Sequence, residues 1–261
     1  MNCLKLGTDR QKKTKPRINK FDKSNKKRAV LVGLNYTGTR AALKGCINDA
    51  RRMKKTLVSK YKYNNVTILS DKNITPKNDI LLVLNKLVLG NENHLFFQYS
   101  GHGTQVVDMN KDEIDGKDEA LYSTNGRIVR DDDINDVIKK VKPSVNMVIF
   151  IDACHSGSVI DLPYQLVDGK IVKVNNNQID GNIICISGCK DEQVSMDVTI
   201  GLTSYGALSN ALQVVLNKNE KGISWRLLVE QVKEELSKEE YAQIPQLSVS
   251  SPELIDSMVT I

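Results

Sequence analysis

The chain has 261 residues, 40% of them hydrophobic and 26% charged, an ordinary composition for one large or two small globular domains. No apolar run approaches the ~20 residues of a membrane-spanning helix, which argues against an integral membrane protein. The five cysteines are odd in number and lack close pairing, a pattern that favours a reducing compartment and at least one free thiol. We therefore expect a cytoplasmic protein.

Positive charge is concentrated at the amino terminus. Residues 1–28 hold eleven Lys and Arg against Asp9 and Asp22, a net +9, so the remainder carries −3 of the overall +6. Few apolar residues accompany this charge, which predicts that residues 1–27 form a disordered basic arm. The arm could be a solubilising tail, an anion-binding segment or a cleavable one. Its single aromatic residue, Phe21, disfavours base stacking, so any nucleic-acid binding is expected to be nonspecific and sensitive to salt.

Apolar runs and helical periodicity alternate along the rest of the chain. Strands are predicted at 28–35, 66–69, 94–99, 145–151, 181–187 and 246–250. Helices are predicted at 48–60, 75–90, 131–141, 207–216 and 225–236. The first is expected to be capped by Asn48 or Asp49, the second to begin at Pro76, and the third to be capped by the aspartates 131–133. Residues 163–181 are polar, contain Pro and Gly, and predict a surface loop. The alternation of strands and helices along the chain indicates a three-layer α/β domain with a mainly parallel central sheet.

Two of the predicted strands are followed directly by polar and potentially reactive side chains. The run 145–151 is almost wholly apolar, as in a strand buried on both faces of a parallel sheet, and continues as Asp152-Ala-Cys-His-Ser-Gly157. The strand 94–99 breaks in the same way into Ser100-Gly-His-Gly-Thr104. Open α/β sheets place their ligand sites at the carboxyl ends of the strands. If these strands are parallel neighbours, Cys154 and His102 lie at one edge of the sheet.

Three histidines are available as partners for that thiol. His94 begins a strand and is expected to be structural, and His155 follows Cys154 directly, so its side chain should point away. His102 lies between two glycines that permit close approach of a substrate, and it is the better base for a cysteine nucleophile. A buried cysteine and an unrelated histidine are the simplest alternative. Zinc binding by Cys154, His155 and His102 is a weaker one, since no paired metal-ligand spacing is present.

The two segments Tyr99-Ser-Gly-His-Gly-Thr-Gln105 and Asp152-Ala-Cys-His-Ser-Gly-Ser158 resemble the catalytic signatures of the metacaspases, the caspase-like cysteine peptidases. The likeness covers about residues 28–260, and its order resembles the type I proteins. The chain lacks their Pro-rich prodomain and departs from their usual pattern at 195–197. The resemblance implies a caspase-like peptidase domain at 28–261, with a large region at about 28–165, a linker at about 165–181 and a small region at about 182–261. Further matching segments lie at 45–50, 115–119, 161–164, 187–193 and 245–248.

The resemblance also implies a reaction and the residues that perform it. Peptide bonds would be hydrolysed with Cys154 as the nucleophile and His102 as the acid and base. The backbone N–H groups of Gly103 and Cys154 would form the oxyanion hole, where charge develops on the carbonyl oxygen.

An acidic substrate pocket is the second implication of the resemblance. Its residues would be Cys46, Asp49, Ser100 and Asp152, and two carboxylates in a partly closed pocket would select Arg or Lys before the cut. This argues against the aspartate preference of true caspases. The alternatives are that Asp49 caps a helix and that Asp152 belongs to a turn at the strand end.

A calcium site is the third implication. Metacaspases bind calcium through four aspartates, which match Asp118, Asp131, Asp132 and Asp161 here, and calcium prefers several carboxylate oxygens. The alternative is a solvated acidic loop at 108–118 followed by a helix cap at 131–133.

Protein or peptide substrates with Arg or Lys before the cut are therefore the expected partners, and the chain is expected to be a monomer. A peptidase of this specificity should also cut its own exposed basic segments, within residues 10–28 and after Lys170 or Lys173. Such a peptidase would fit a part in programmed cell death. The competing hypothesis is a catalytically weak caspase-like scaffold with an anion-binding arm.

Overall fold

The apolar runs of the sequence form the strands of an α/β protein. The computed structural model describes residues 26–107, 117–154, 159–188, 197–200, 203–241 and 243–261. Its strands are β1 (Lys27–Gly33), β2 (Asn65–Leu69), β3 (His94–Ser100), β4 (Gly103–Val107), β5 (Lys117–Tyr122), β6 (Ile128–Arg130), β7 (Asn146–Asp152), β8 (Tyr164–Val167), β9 (Lys170–Lys173), β10 (Asn182–Ser187), β11 (Asp197–Ile200), β12 (Thr203–Gly206) and β13 (Gln246–Val249). Its helices are α1 (Cys46–Ser59), α2 (Ile80–Val88), α3 (Asp131–Ile138), α4 (Ala207–Lys218) and α5 (Trp225–Lys238).

Eight strands form the central sheet, in the order β2-β1-β3-β7-β10-β13-β8-β9. The first five are parallel to one another, and the last three follow in antiparallel pairing. This confirms the predicted caspase-like three-layer α/β fold with a mainly parallel sheet. β3 and β7 are adjacent and in register, with Ser100 opposite Asp152. The carboxyl ends of these two strands therefore meet at one edge of the sheet.

The helices cover both faces of the sheet and enclose two separate hydrophobic cores. α2 and α3 pack on one face through side chains such as Leu84 and Ile134. α1, α4 and α5 pack on the other through Met53, Leu212 and Trp225. The strands supply alternate residues to each core, because successive side chains of a strand point to opposite faces. We call these two faces the α2/α3 face and the α1/α4 face.

The segment 163–181, which was predicted to be a surface loop, instead contains the β8–β9 hairpin at the edge of the central sheet. Its two-residue turn is Asp168-Gly169, with φ of 48° and 76°. Asp-Gly with both residues at positive φ is a favoured hairpin turn. The loop prediction was wrong because polar side chains can line an exposed edge strand. The boundaries of the large region, linker and small region stay a prediction.

Three predicted helix boundaries also need correction. α1 starts at Cys46 after Gly45 without a side-chain cap, so neither Asn48 nor Asp49 caps it. α2 starts only at Ile80, where the Asp79 side chain accepts a hydrogen bond from the Leu82 N–H at 2.8 Å. The Thr75-Pro76 signal instead belongs to a turn closed by a Thr75–Asn78 bridge. α3 ends three residues earlier than predicted.

Two small sheets lie outside the main one, and the sequence analysis predicted neither. β4, β5 and β6 form an antiparallel sheet, and β11 and β12 form a hairpin. β1 includes Lys27, so the predicted arm ends one residue earlier than expected; residues 1–25 lie outside the described part of the chain. In that described part, none of the helices combines the length and apolarity needed to cross a membrane.

Candidate active site

Cys154 and His102 lie two residues beyond the paired ends of β7 and β3. The connection between these ends is tight, since the Gly101 N–H donates to the Asp152 carbonyl at 3.3 Å. Cys154 is half-buried, whereas Cys46 and Cys185 are buried. Burial raises the pKa of the Cys185 thiol to about 12, so that thiol is unreactive at neutral pH. The structure thus places the predicted thiol and imidazole at the same edge of the sheet, beyond the ends of adjacent strands.

The imidazole of His102 is oriented by a backbone carbonyl. Its Nε2 lies 2.7 Å from the carbonyl oxygen of Ala41. Because a carbonyl only accepts hydrogen bonds, Nε2 carries the hydrogen and Nδ1 is the nitrogen that can receive a proton. The ring also packs against Tyr36, with the centroids 4.6 Å apart. A base held in one tautomer is what a nearby thiol requires.

Two buried tyrosine hydroxyls hold the backbone of residue 102 from both sides. The His102 N–H donates to the Tyr36 hydroxyl at 2.9 Å, and the Tyr99 hydroxyl donates to the His102 carbonyl at 2.7 Å. The two hydroxyls are 3.0 Å apart, and the Tyr36 hydroxyl donates to the Tyr122 carbonyl at 2.6 Å, whose oxygen also lies 2.9 Å from the Tyr99 hydroxyl oxygen. Burial raises the pKa of Tyr99 well above its usual value, so its hydroxyl stays neutral. Sequence analysis did not find this network, since its members are far apart in the chain.

Gly103 lies directly against the carbonyl group of Cys154. A methyl group at this position would overlap the Cys154 carbonyl oxygen and would approach its carbon to 3.0 Å. Residue 103 is therefore restricted to glycine by close approach, not by φ. This contact places the two backbone segments predicted for the oxyanion hole beside each other.

Asp49 and Asp152 converge on the α1/α4 face of the sheet, with Gly206 between them. The Asp49 carboxylate accepts from the Gly206 N–H at 3.0 Å, and the two side chains are only 3% and 4% exposed. The Asp152 Oδ2 accepts from the N–H and the hydroxyl of Ser209, at 3.0 and 2.7 Å. Asp49 lies inside α1 and does not cap it. Asp152 accepts from an N–H group in the first turn of α4, so its carboxylate also satisfies a donor at the start of that helix.

The remaining two predicted pocket residues lie nearby. Cys46 is buried at the start of α1, one turn before Asp49. Ser100 is buried beside Asp152 in the sheet, and its hydroxyl accepts from the Gln98 side chain at 3.0 Å. The four predicted residues thus surround one end of β3 and β7. Gly206 and Ser209, which sequence analysis missed, come from β12 and α4 and complete this group.

The aspartates that were predicted to bind calcium converge in part. Single carboxylate oxygens of Asp118, Asp131 and Asp132 lie within 4.8 Å of one another. The pKa of Asp131 is raised to about 7, chiefly by burial and also by the neighbouring charges of Asp161 and Asp118, against hydrogen bonds from the Asp132 and Glu119 N–H groups. The loop 108–116 lies outside the described residues.

Asp161 is close enough to affect Asp131 but is not part of that three-residue group. Its carboxylate accepts from the Asn135 side-chain amide at 2.7 Å, and its N–H donates to the same side chain at 3.1 Å. Asn135 therefore ties Asp161 to α3. His155, which the zinc alternative needs, lies outside the described residues. Within those residues, the aspartate group is the one set of three potential metal ligands.

A thiol and an oriented imidazole at the carboxyl edge of a mainly parallel sheet, flanked by helices on both faces, define a caspase-like α/β protein. A model of the metacaspase, peptidase C14 domain matches residues 27–163. The chain belongs to the metacaspase family.

Similar proteins support this assignment. Metacaspase-1 of Eremothecium gossypii is 33% identical over 293 residues, covering 87% of this chain and 64% of its own length. Metacaspase-1 of Ajellomyces capsulatus is 32% identical over 290 residues, covering 88% and 81%. The solved structure of protein GSU0716 from Geobacter sulfurreducens has a TM-score of 0.67 and 27% identity, covering 89% of this chain and 97% of that one. The chain spans just under two thirds of the length of several of these relatives.

Proposed function

We propose that the protein is a cysteine endopeptidase that hydrolyses peptide bonds after Arg or Lys. One observation carries the proposal: a half-buried thiol and an oriented imidazole lie at the sheet edge, next to two buried carboxylates. A nucleophile, a base and a cation-binding pocket are the parts that such a reaction needs. Membership of the metacaspase family supports the same reaction.

The reaction follows from the positions of the groups. His102 takes the proton of the Cys154 thiol at Nδ1, and the sulfur attacks the carbonyl carbon of the scissile bond. The N–H groups of Gly103 and Cys154 stabilise the oxyanion that forms. His102 then gives its proton to the departing amine, which leaves a thioester on Cys154. Water, deprotonated by His102, hydrolyses that thioester and regenerates the thiol.

Specificity for Arg or Lys rests on Asp49 and Asp152. Each carboxylate is held by donors of the small region, on Gly206 and on Ser209, so each is fixed in position before a substrate binds. Two fixed carboxylates near one pocket attract a guanidinium or ammonium group and repel an acidic side chain.

Calcium stimulation is the next part of the proposal. Three carboxylates with oxygens within 4.8 Å, one of them with its pKa raised to about 7, form a donor set of the kind that a hard divalent cation prefers. Asp118, Asp131 and Asp132 would hold the ion, with Asp161 beside them. When bound, calcium would supply the positive charge that offsets their mutual repulsion.

The proposal is tested with peptide amides that end in Arg, Lys or Asp before a fluorescent amine, with calcium and with excess chelator. We expect hydrolysis after Arg and Lys, faster with calcium. Cys154→Ala should abolish hydrolysis and His102→Ala should remove most of it, whereas Cys185→Ala, a buried thiol on the neighbouring strand, is the matched control. Turnover in Cys154→Ala, or cleavage after Asp, would contradict the assignment. An intact, folded protein without turnover would favour the scaffold hypothesis.

We also propose calcium-stimulated self-cleavage, with the basic arm as the first target. The carbonyl of Lys26 accepts from the N–H groups of Asn93 and His94, at 3.0 and 3.1 Å, so the chain is already paired in the sheet there. Lys170 and Lys173 also lie in a strand, β9. Because a paired strand must open locally before it can enter a cleft, cuts within 10–25 should precede cuts at these sites.

Intact-mass analysis of the native protein and of Cys154→Ala, each incubated with calcium, tests this order of cuts. Fragments should appear only in the native protein. Identical fragments from both would point to another protease. The monomeric state, the cytoplasmic location and a part in programmed cell death stay predictions.

A further inference from the structure

A cavity of about 460 Å³ lies beside His102, away from the paired carboxylates. It is enclosed by residues 36–41, the turn 122–125 and the segment that carries Asp71 and Ile74. Tyr36, whose ring packs against His102, is one wall, and the Ala41 carbonyl that orients His102 is on another. Tyr36 belongs to the core of the α2/α3 face, whereas the carboxylates lie under α1 and α4. The cavity and the paired carboxylates therefore lie on opposite faces of the sheet, with His102 at the edge between them.

The walls of this cavity are fixed by Asp71. Its carboxylate accepts from the N–H groups of Asn35 and Thr37 at 2.8 and 3.1 Å, and from the Thr37 hydroxyl at 2.9 Å. Tyr36 between them has a φ of 50°, a conformation that side-chain-bearing residues adopt only when their surroundings enforce it. The cavity is thus formed before any ligand binds. Both carboxylate oxygens of Asp71 accept hydrogen bonds from the loop. We therefore assign this carboxylate to holding the loop in place and not to binding a cationic ligand.

The surface of the cavity is suited to an apolar side chain. The ring of Tyr122 is stacked on Tyr36, with centroids 6.1 Å apart, and residue 122 is 37% exposed. Ile74 is half-buried on another side. Polar groups come from Thr124 and Asn125 at the turn and from Thr37, Thr39 and Arg40 on the loop. Aromatic and aliphatic walls combined with polar groups that orient the ligand are typical of a side-chain subsite.

We propose that this cavity binds an aliphatic or aromatic side chain that the substrate carries just after the scissile bond. The inference rests on the peptidase function proposed above. The side chain before the cut fills the carboxylate pocket on the α1/α4 face. The departing amine must lie within hydrogen-bond reach of His102, which protonates it. The chain that continues beyond that amine therefore passes His102 and meets the Tyr36–Tyr122 cavity.

The test compares peptides that share Arg before the cut and differ only in the next residue, Leu, Phe or Gly. Filling an apolar pocket changes kcat/KM by about 10- to 200-fold, so Leu and Phe should exceed Gly by at least about 10-fold. Tyr122→Ala, and separately Ile74→Ala as the milder change, should reduce that ratio by about 5-fold or more. Leu227→Ala, an exposed apolar residue on α5, should leave the ratio unchanged.

Two further measurements separate this inference from the proposed function. An Arg amide with a small fluorescent amine has no residue after the cut, so its hydrolysis reports the peptidase alone. Affinity of the same three peptides for Cys154→Ala, measured by fluorescence anisotropy, reports the cavity without turnover. Hydrolysis of the amide with equal kcat/KM for Leu and Gly, or equal affinities in Cys154→Ala, would overturn the cavity assignment. A preference that survives both Tyr122→Ala and Ile74→Ala would overturn it as well.

Discussion

The described residues hold two groups of clustered aspartates, the first wholly buried and the second with Asp132 accessible to solvent, and the groups differ in what separates the carboxylates. Between Asp49 and Asp152 lies the backbone of Gly206, which donates a hydrogen bond to one of them. In the second group, oxygens of Asp118, Asp131 and Asp132 are within 4.8 Å of one another. There the neighbouring charges add to burial in raising the pKa of Asp131.

This difference indicates two kinds of cation. Carboxylates that are kept apart and individually hydrogen-bonded leave room for a polyatomic group such as guanidinium, which meets each acid with its own N–H groups. Carboxylates that share one small volume suit a single ion of high charge density. The same residue type is thus expected to recognise a substrate in one place and a metal in the other.

The largest expected effect comes from removing one carboxylate of the proposed substrate pocket. Asp152→Ala or Asp49→Ala should cost roughly 2–5 kcal/mol in transition-state binding of an Arg substrate, because the cation loses a desolvated partner. That corresponds to a decrease in kcat/KM of about 30-fold to several thousand-fold. The exposed Asp133 provides the control, and Asp133→Ala should leave kcat/KM for Arg substrates unchanged. Equal loss in all three variants would show that the pocket does not select by charge.

The second effect concerns the metal. Asp131→Ala combined with Asp132→Ala should raise the calcium concentration for half-maximal activity by about 10-fold or more, or remove the response, because two of three clustered carboxylates are lost. Titration of activity against buffered calcium measures this. Asp136→Ala, on the exposed side of α3, is the matched control. Full activity of the native protein in excess chelator would show that the cluster has no part in activation.

A smaller effect should follow from Gly206→Ala. The new methyl group would overlap Asp152 Oδ2 and would lie 3.1 Å from Asp49 Oδ2. Displacing one carboxylate should cost about 1–3 kcal/mol, typical of overpacking, and should lower kcat/KM for Arg substrates by about 5- to 150-fold. The calcium response should not change, and this independence distinguishes the two aspartate groups. A parallel loss of calcium response would mean that the groups are coupled.

The smallest effect concerns how the free energy of unfolding of the metal-free protein depends on pH. The pKa of Asp131 is raised from 3.8 to about 7 in the folded protein, so the folded state binds more protons than the unfolded state between these values. The free energy of unfolding should therefore fall as pH rises from about 4 to 7. Asp131→Asn cannot titrate and should flatten this slope in chelator, as measured by urea unfolding at several pH values. An unchanged slope would show that another group causes it.

The predictions from sequence agree best with the structure where the residues that form a feature are close together in the chain. The apolar runs before Cys154 and His102 predicted two buried strands that would bring these residues to one edge if they were parallel neighbours, and the structure pairs them in parallel and in register. The β8–β9 hairpin was missed because its polar composition is equally typical of a loop. Gly206 and Ser209 were missed because their partners, Asp49 and Asp152, lie 157 and 57 residues away. No local pattern reports a hydrogen bond across such a separation.

The sequence by itself determined the α/β fold class and the strand ends that carry the thiol and imidazole, because residue order and periodicity are visible in a single chain. The set of aspartates came from the resemblance of its motifs to those of the metacaspases. Tertiary structure alone decided which carboxylates share a volume, which nitrogen of His102 carries the hydrogen and where the Tyr36–Tyr122 cavity lies. The physical reason is that hydrogen bonding and repulsion depend on distances of a few ångströms between distant parts of the chain, and only packing sets those distances.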